Sequence, residues 1–249
     1  MLHPKKVGDL PIEGDTETKR TNEIKMAAPL LDEIDIRGKE ISADALLTQR
    51  EFARYLVEDR KDDYHFTVKG NQPKLLEDIA LYFRDRQKPD FIDNGSLEHG
   101  RIETRKIWTT HELNDYLDFP YVRQAFMIER RRIDKKTGEI SEETAYGITS
   151  RSEDQADARH ILETNRGHWC IENSCHYIID WNYDEDRSRI RTGFGPENVT
   201  RLRRFAIGLL KSKGVSNVAQ KMRQLHRSVR SVFDYLCMTK NTSPAFSGA

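Results

Sequence analysis

The sequence predicts an α/β protein with a helical C-terminal part. Three observations carry this expectation. Short β-rich runs alternate with amphipathic stretches between Lys39 and Arg84. A second group of β-rich segments surrounds a Lys-Thr-Gly turn before Thr149. From Ser152 onward the pattern is helical.

The elements follow in order. Residues 1–20 are polar, contain Pro and Gly, show no periodicity and read as an irregular start. Met26 to Glu33 predicts a short helix, and Lys39 to Ala43 a strand. Thr48-Gln-Arg-Glu51 has the form of a capping box, in which the Thr and Glu side chains satisfy each other's backbone donors. It opens a helix through about Glu58 with Phe52, Tyr55 and Leu56 on one face. Tyr64 to Val68 is a β-rich strand. Pro73 suits the first turn of a helix to about Arg84 that carries Leu75, Leu76, Ile79 and Phe83. This alternation implies a parallel sheet covered by helices. Arg101 to Thr109 alternates in polarity, Tyr121 to Glu129 is β-rich, and Lys135 to Gly138 reads as a hairpin turn, so residues 95–150 are expected to be an antiparallel β insertion. Ser152-Glu-Asp-Gln155 is a second capping box. Helices are expected at about 153–164, 167–180, 197–212 and 215–239. The tail 241–249 has the Ser, Pro and Gly content of a disordered end.

Composition excludes several classes. Of 249 residues, 33% are charged and 37% apolar, enough to build a core. No apolar run approaches the roughly 20 residues that span a bilayer, and the N-terminus lacks a secretory pattern. Cys170, Cys175 and Cys237 are sparse and odd in number, which suits free thiols in a reducing cytoplasm. Net charge is zero but unevenly spread. Arg187 to Arg230 holds 12 Lys or Arg against one acid, Glu197, whereas residues 1–186 carry a net −11. The basic stretch fits a polyanion, or a solvated surface paired with the acidic part of the same chain.

Two carboxylates stand out. Asp44 ends a strand ahead of a helix, where ligands of open α/β sheets bind and where a hard cation such as Mg²⁺ finds an oxygen ligand. An Asp in an ordinary strand–helix loop looks the same. His168, Glu172 and His176 are spaced i, i+4, i+8, which places them on one helix edge beside an apolar stripe of Ile171, Cys175 and Ile178. Glu172 could then face Asp44 across a two-metal site for phosphoryl transfer, or simply lie on a surface edge. A zinc site is the poorer fit, because histidines two turns apart supply too few ligands. Lys69, Asn71 and Gln72 follow a strand and could hold a phosphate or merely shape a loop. Arg187, Arg189, Arg191, Arg201, Arg203 and Arg204 suit phosphate contacts.

Taken together, Ser42-Ala-Asp-Ala45, Tyr64 to Gln72, Thr21-Asn-Glu-Ile24 and above all His168-Trp-Cys-Ile-Glu-Asn173 followed by Cys175-His176 and Asp180 resemble the bacterial insertion-sequence DDE transposases, in their H-repeat-associated group. The resemblance covers about residues 20–240. It implies a ribonuclease H-like core interrupted by a β insertion, with residues 21–94 as part of the catalytic core and 151–240 as its helical remainder. It implies Mg²⁺ or Mn²⁺, double-stranded DNA at transposon ends, and hydrolysis followed by strand transfer. A homodimer or full-length transposase is the expected protein partner. Asp44 resembles the second catalytic carboxylate and Glu172 the third. Relatives carry Tyr and Arg where this chain has Asn165 and His168. The first carboxylate, in an Asp-Gly-Lys setting, has no counterpart here, so the core is expected to lack its first strands and catalysis to be impaired. The competing expectation is a non-catalytic DNA-binding fragment that interferes with a full-length enzyme.

Overall fold

The computed structural model describes residues 16–95, 101–168, 177–184 and 187–239. The chain forms two compact units, Met1–His168 and Trp169–Ala249.

In the first unit a six-stranded sheet runs in the order β1-β2-β6-β5-β4-β3. Its strands are β1 (Glu40–Ala43), β2 (Asp63–Val68), β3 (Phe91–Asp93), β4 (Arg101–Thr110), β5 (Gln124–Asp134) and β6 (Ile140–Thr149). Only β1 and β2 are parallel. The expectation of a parallel sheet is therefore corrected to a mixed one. Strand β6 pairs with β2 on one side, Phe66 opposite Ile148, and with β5 on the other, so the hairpin region continues the sheet of β1 and β2. A β-rich stretch and a βα unit look separate in sequence, because strand pairing between residues some 80 positions apart leaves no local mark.

Period-two alternation sorts the side chains onto two faces. On one face Tyr64, Phe66 and Val68 pack against Phe52 and Ala53 of α2 (Arg50–Arg54), Leu56 of the π-helical turn that extends it, and Leu75, Ile79 and Phe83 of α3 (Pro73–Phe83). On the other, Ile107, Phe126 and Ile128 meet Ala156, Ile161 and Leu162. Ile161 and Leu162 lie on α4 (Ala158–His168). The first helix, α1 (Thr16–Asp32), starts well before the predicted Met26 and contains Pro29.

Neither capping box forms as drawn. The Thr48 hydroxyl donates to the Thr67 carbonyl at 2.7 Å, tying the loop after β1 to β2, and Gln49 takes the cap position of α2. The Ser152 backbone N–H does bond Gln155 Oε1, at 3.1 Å, but residues 152–155 form a turn. Asp157 caps the helix instead, accepting from the His160 N–H at 2.8 Å. Helix α4 then runs through 165–166, where a break was expected.

The second unit holds a π-helical turn (Ile178–Asn182), α5 (Gly195–Ser212), α6 (Val218–His226) and α7 (Val229–Tyr235) around Ile178, Ile179, Ile207, Leu210 and Val218. The single helix expected over 215–239 is divided, because Ser228 is extended and its hydroxyl caps α7. Among the described residues no helix is long and apolar enough to cross a membrane.

Gly147 is where β6 threads between two aromatic strands. A Cβ there would land on the Phe126 ring and 2.6 Å from the Phe66 carbonyl oxygen. Gly147→Ala should therefore cost about 1–3 kcal/mol by overpacking, read as a lower urea midpoint.

Candidate functional site

The parallel pair β1–β2 sets the geometry. Asp44 follows β1 at its C-terminal end, exposed to solvent. Its Oδ1 accepts the Leu46 and Leu47 N–H groups at 3.1 and 3.4 Å and so caps a 3-10 turn, Ala45–Leu47. The other carboxylate oxygen makes no hydrogen bond among the described residues. Among the described residues, one oxygen of this side chain thus caps the turn while the other is not engaged.

The loop carrying Asp44 is held rigidly. Asn71 donates to the Ala45 carbonyl, Gln72 Nε2 to the Thr48 carbonyl at 2.9 Å, and Thr48 is fully buried. Two of the three residues offered by sequence as phosphate ligands are therefore engaged in positioning the Asp44 loop. Lys69 remains exposed at the end of β2, the same end of the sheet. Asp44 opens onto a cleft lined by Glu23, Met26, Ala27 and Leu30 of α1 and by Leu46 and Leu47. Glu23 belongs to the Thr-Asn-Glu-Ile segment that carried the resemblance but was assigned no role. Its place in the Asp44 cleft is a tertiary fact.

On the α4 face, β1 and α4 are matched along their lengths. His160 Nε2 lies 2.8 Å and the Thr164 hydroxyl 3.5 Å from Glu40 Oε2, and His168 Nδ1 lies 3.3 Å from the Ser42 hydroxyl. Alternate strand residues Glu40 and Ser42 meet helix residues four apart, because two strand residues and four helix residues both advance about 6 Å. Both elements run in the same direction, towards Asp44. His168, expected as a DNA contact, thus has its ring on the strand. The four-residue series continues in sequence to Glu172 and His176, which lie outside the described residues.

Beneath this ladder is a buried polar network that sequence reading missed. Glu40 and Asp63 are register partners on adjacent strands. One guanidinium, Arg151, bridges them, with Nε 3.1 Å from Asp63 and 3.7 Å from Glu40. Ser150 donates to Asp63 at 2.8 Å. His65 is fully buried, stacked on Phe126 at 4.7 Å, and neither ring nitrogen is hydrogen-bonded. Burial, then the neighbouring His168 and His160, push its pKa down from 6.5 to about 3. The available signal was period two in Glu40-Ile-Ser42 and period four in His160, Thr164 and His168. The period-four series crosses the break expected at 165–166, so His160 and Thr164 were not linked with His168.

In the second unit Arg187 pairs with Asp184 at 3.6 Å, Arg201 with Glu197 at 2.5 Å, and the Arg203 guanidinium lies 6.0 Å from the Tyr183 ring centroid. Arg189, Arg191 and Arg204 are exposed. Among the described residues no group of three or more His, Cys, Asp or Glu is placed to hold a metal ion.

A mixed sheet flanked by helices, with an exposed carboxylate at the tip of a parallel strand, makes this an α/β protein. Residues 8–206 match the family model described as transposase DDE domain, and the chain belongs to that family. It is 31% identical over 207 residues to "Putative transposase YncI" of Escherichia coli O157:H7, covering 79% of this chain and 51% of that protein. It is 28% identical to "H repeat-associated putative transposase YhhI" of Escherichia coli (strain K12), covering 83% of this chain and 57% of the relative. The chain thus spans about half the length of the curated relatives it matches. Among solved structures, the piggyBac transposase synaptic complex with hairpin DNA has a TM-score of 0.40 at 14% identity, over 94% of this chain and 44% of that one. That likeness is too distant to refine the fold.

Proposed function

We propose that this chain takes part in DNA transposition through a ribonuclease H-like core, with Asp44 and Glu172 as ligands for Mg²⁺ or Mn²⁺ and duplex DNA as substrate. One observation carries the reading. In a member of the DDE transposase family, the aspartate of the matching motif stands exposed at a parallel strand tip, with one oxygen unbonded among the described residues and its loop fixed by Thr48, Asn71 and Gln72. A hard divalent ion suits such a carboxylate, and when bound it supplies Lewis-acid stabilisation of in-line phosphoryl transfer. The chain's own share is to fix Asp44 before a ligand arrives, so that little ordering cost remains. Glu172 enters on its motif alone.

With two of the family's three carboxylates assigned, this chain is expected to bind DNA more readily than it cuts it. Calorimetric titration with Mn²⁺, paired with plasmid nicking, tests the proposal. Asp44→Asn and Glu172→Gln should each weaken Mn²⁺ binding by roughly tenfold or more. Mn²⁺ binding unchanged in both variants would overturn the metal assignment. Robust nicking abolished by Glu172→Gln would show that a further carboxylate completes the site. Duplex binding without any Mn²⁺ binding would favour the non-catalytic reading.

A further inference from the structure

The second unit divides its basic residues into two groups. Among those picked from sequence, Arg187 and Arg201 are neutralised by Asp184 and Glu197, and Arg203 leans on Tyr183. From residue 211 to 230 the sequence has six Lys or Arg (Lys211, Lys213, Lys221, Arg223, Arg227, Arg230) and no acid at all. Among the described residues none of these six pairs with a carboxylate. Among the described residues Arg189, Arg191 and Arg204 pair with no carboxylate either, so the unneutralised charge runs on through the end of α5 into α6–α7, where Asp234 on α7 is the one acid.

Within this group two cations are held on one ring. The ammonium groups of Lys213 and Lys221 lie 4.3 and 4.8 Å from the centroid of Tyr235. Lys213 also donates to the Tyr235 carbonyl, at the end of α7. The ring's negative face attracts each cation, and the helix end attracts Lys213. Neither contact cancels the cations' charge, which leaves both able to pair with phosphate. Ser228 and Asn217 cap α7 and α6 with their own side chains, which keeps the pair of helices ordered around the ring.

We propose that α6, α7 and the end of α5 form a contact surface for the phosphate backbone of duplex DNA, with Lys213 and Lys221, both held on the Tyr235 ring, among its phosphate contacts. This rests on the DNA-binding reading above and adds to it where the backbone is held. Such contacts carry no sequence preference and release counterions, so each contributes about 0.9 to the slope of log affinity against log salt.

The test is fluorescence anisotropy of the full chain on a labelled duplex of arbitrary sequence, over a KCl series. Lys213→Gln/Lys221→Gln should lower the salt slope by about two and weaken binding alike on unrelated sequences. Lys221→Gln alone, which leaves the α7 carbonyl contact intact, should lower it by about one. Lys213→Arg should keep the wild-type slope, whereas Arg201→Gln, already ion-paired, should change it less. Unchanged slopes in the two Lys→Gln variants, with wild-type melting curves, would overturn this inference and leave the DNA reading standing. No wild-type binding to duplex DNA at low salt would sink both. Binding to phosphatidylserine vesicles without duplex binding would reassign the surface to a membrane.

Discussion

Arg151→Met should unfold this protein at markedly lower temperature than wild type. Glu40 and Asp63 stand side by side on the two parallel strands, with side chains only 8% and 27% exposed, and Arg151 is the guanidinium between them. Removing it leaves two part-buried carboxylates side by side, Glu40 against His160 and Asp63 against Ser150, without a neutralising guanidinium. Breaking a buried ion pair from one side costs about 3–5 kcal/mol, well above the range of a surface pair. For a domain of this size that is a shift on the order of 10 °C in melting temperature. Methionine keeps most of the volume, so the loss reports charge and not a cavity. Adding Glu40→Gln and Asp63→Asn to Arg151→Met should recover much of it. A melting temperature within a degree or two of wild type in the single variant would show that the network is already hydrated and contributes little.

The second large effect is a pH dependence centred on His65. Its folded pKa is lowered to about 3 from an ordinary 6.5, chiefly by burial. The direction of the effect follows from proton counting. Below pH 6.5 the unfolded chain takes up a proton that the native ring refuses, so unfolding gains about 1.4 kcal/mol for each pH unit down to about 3. Stability from this residue is fully present above pH 6.5 and is lost through the acid range. His65→Leu should remove that slope, so its stability relative to wild type should improve by about 2 kcal/mol between pH 7 and pH 5. The groups facing His65 are Glu40 on β1 and His160 and His168 on α4, with Arg151 and Asp63 adjacent. All are retained in the variant, so their own contributions cancel in the comparison. Parallel urea midpoints for the two proteins across pH 5–7 would sink the assignment.

Both effects arise from residues that sequence reading passed over, and the reason is physical. Glu40 sits in a strand pattern and His160 in a helix pattern. Their meeting at 2.8 Å joins positions 120 residues apart. Local spacing reports which side of its own element a residue faces, and says nothing of which element covers it. The same limit explains the mixed sheet. The strands β4 to β6 were visible as alternating runs, but the pairing of β6 with β2 depends on Phe66 and Ile148 becoming neighbours in the core. Asp44 was legible because a strand end followed by Asp-Ala and a helical pattern is a local signature. That one of its oxygens caps the next turn came only with the structure. Thr48 shows the opposite case. Its spacing to Glu51 spelled a capping box, yet the Thr67 carbonyl, brought in by β2, took the hydroxyl.

By itself the sequence determined the α/β class, the strand and helix content near Asp44, and membership of the DDE transposase family, since these rest on local periodicity and on motifs contiguous in the chain. Tertiary structure alone decided the strand order, the register of α4 on β1, the part-buried Glu40–Arg151–Asp63 bridge and which cations escape neutralisation. Each of those is settled by the free energy of burying particular side chains against distant partners, a quantity that no stretch of neighbouring residues contains.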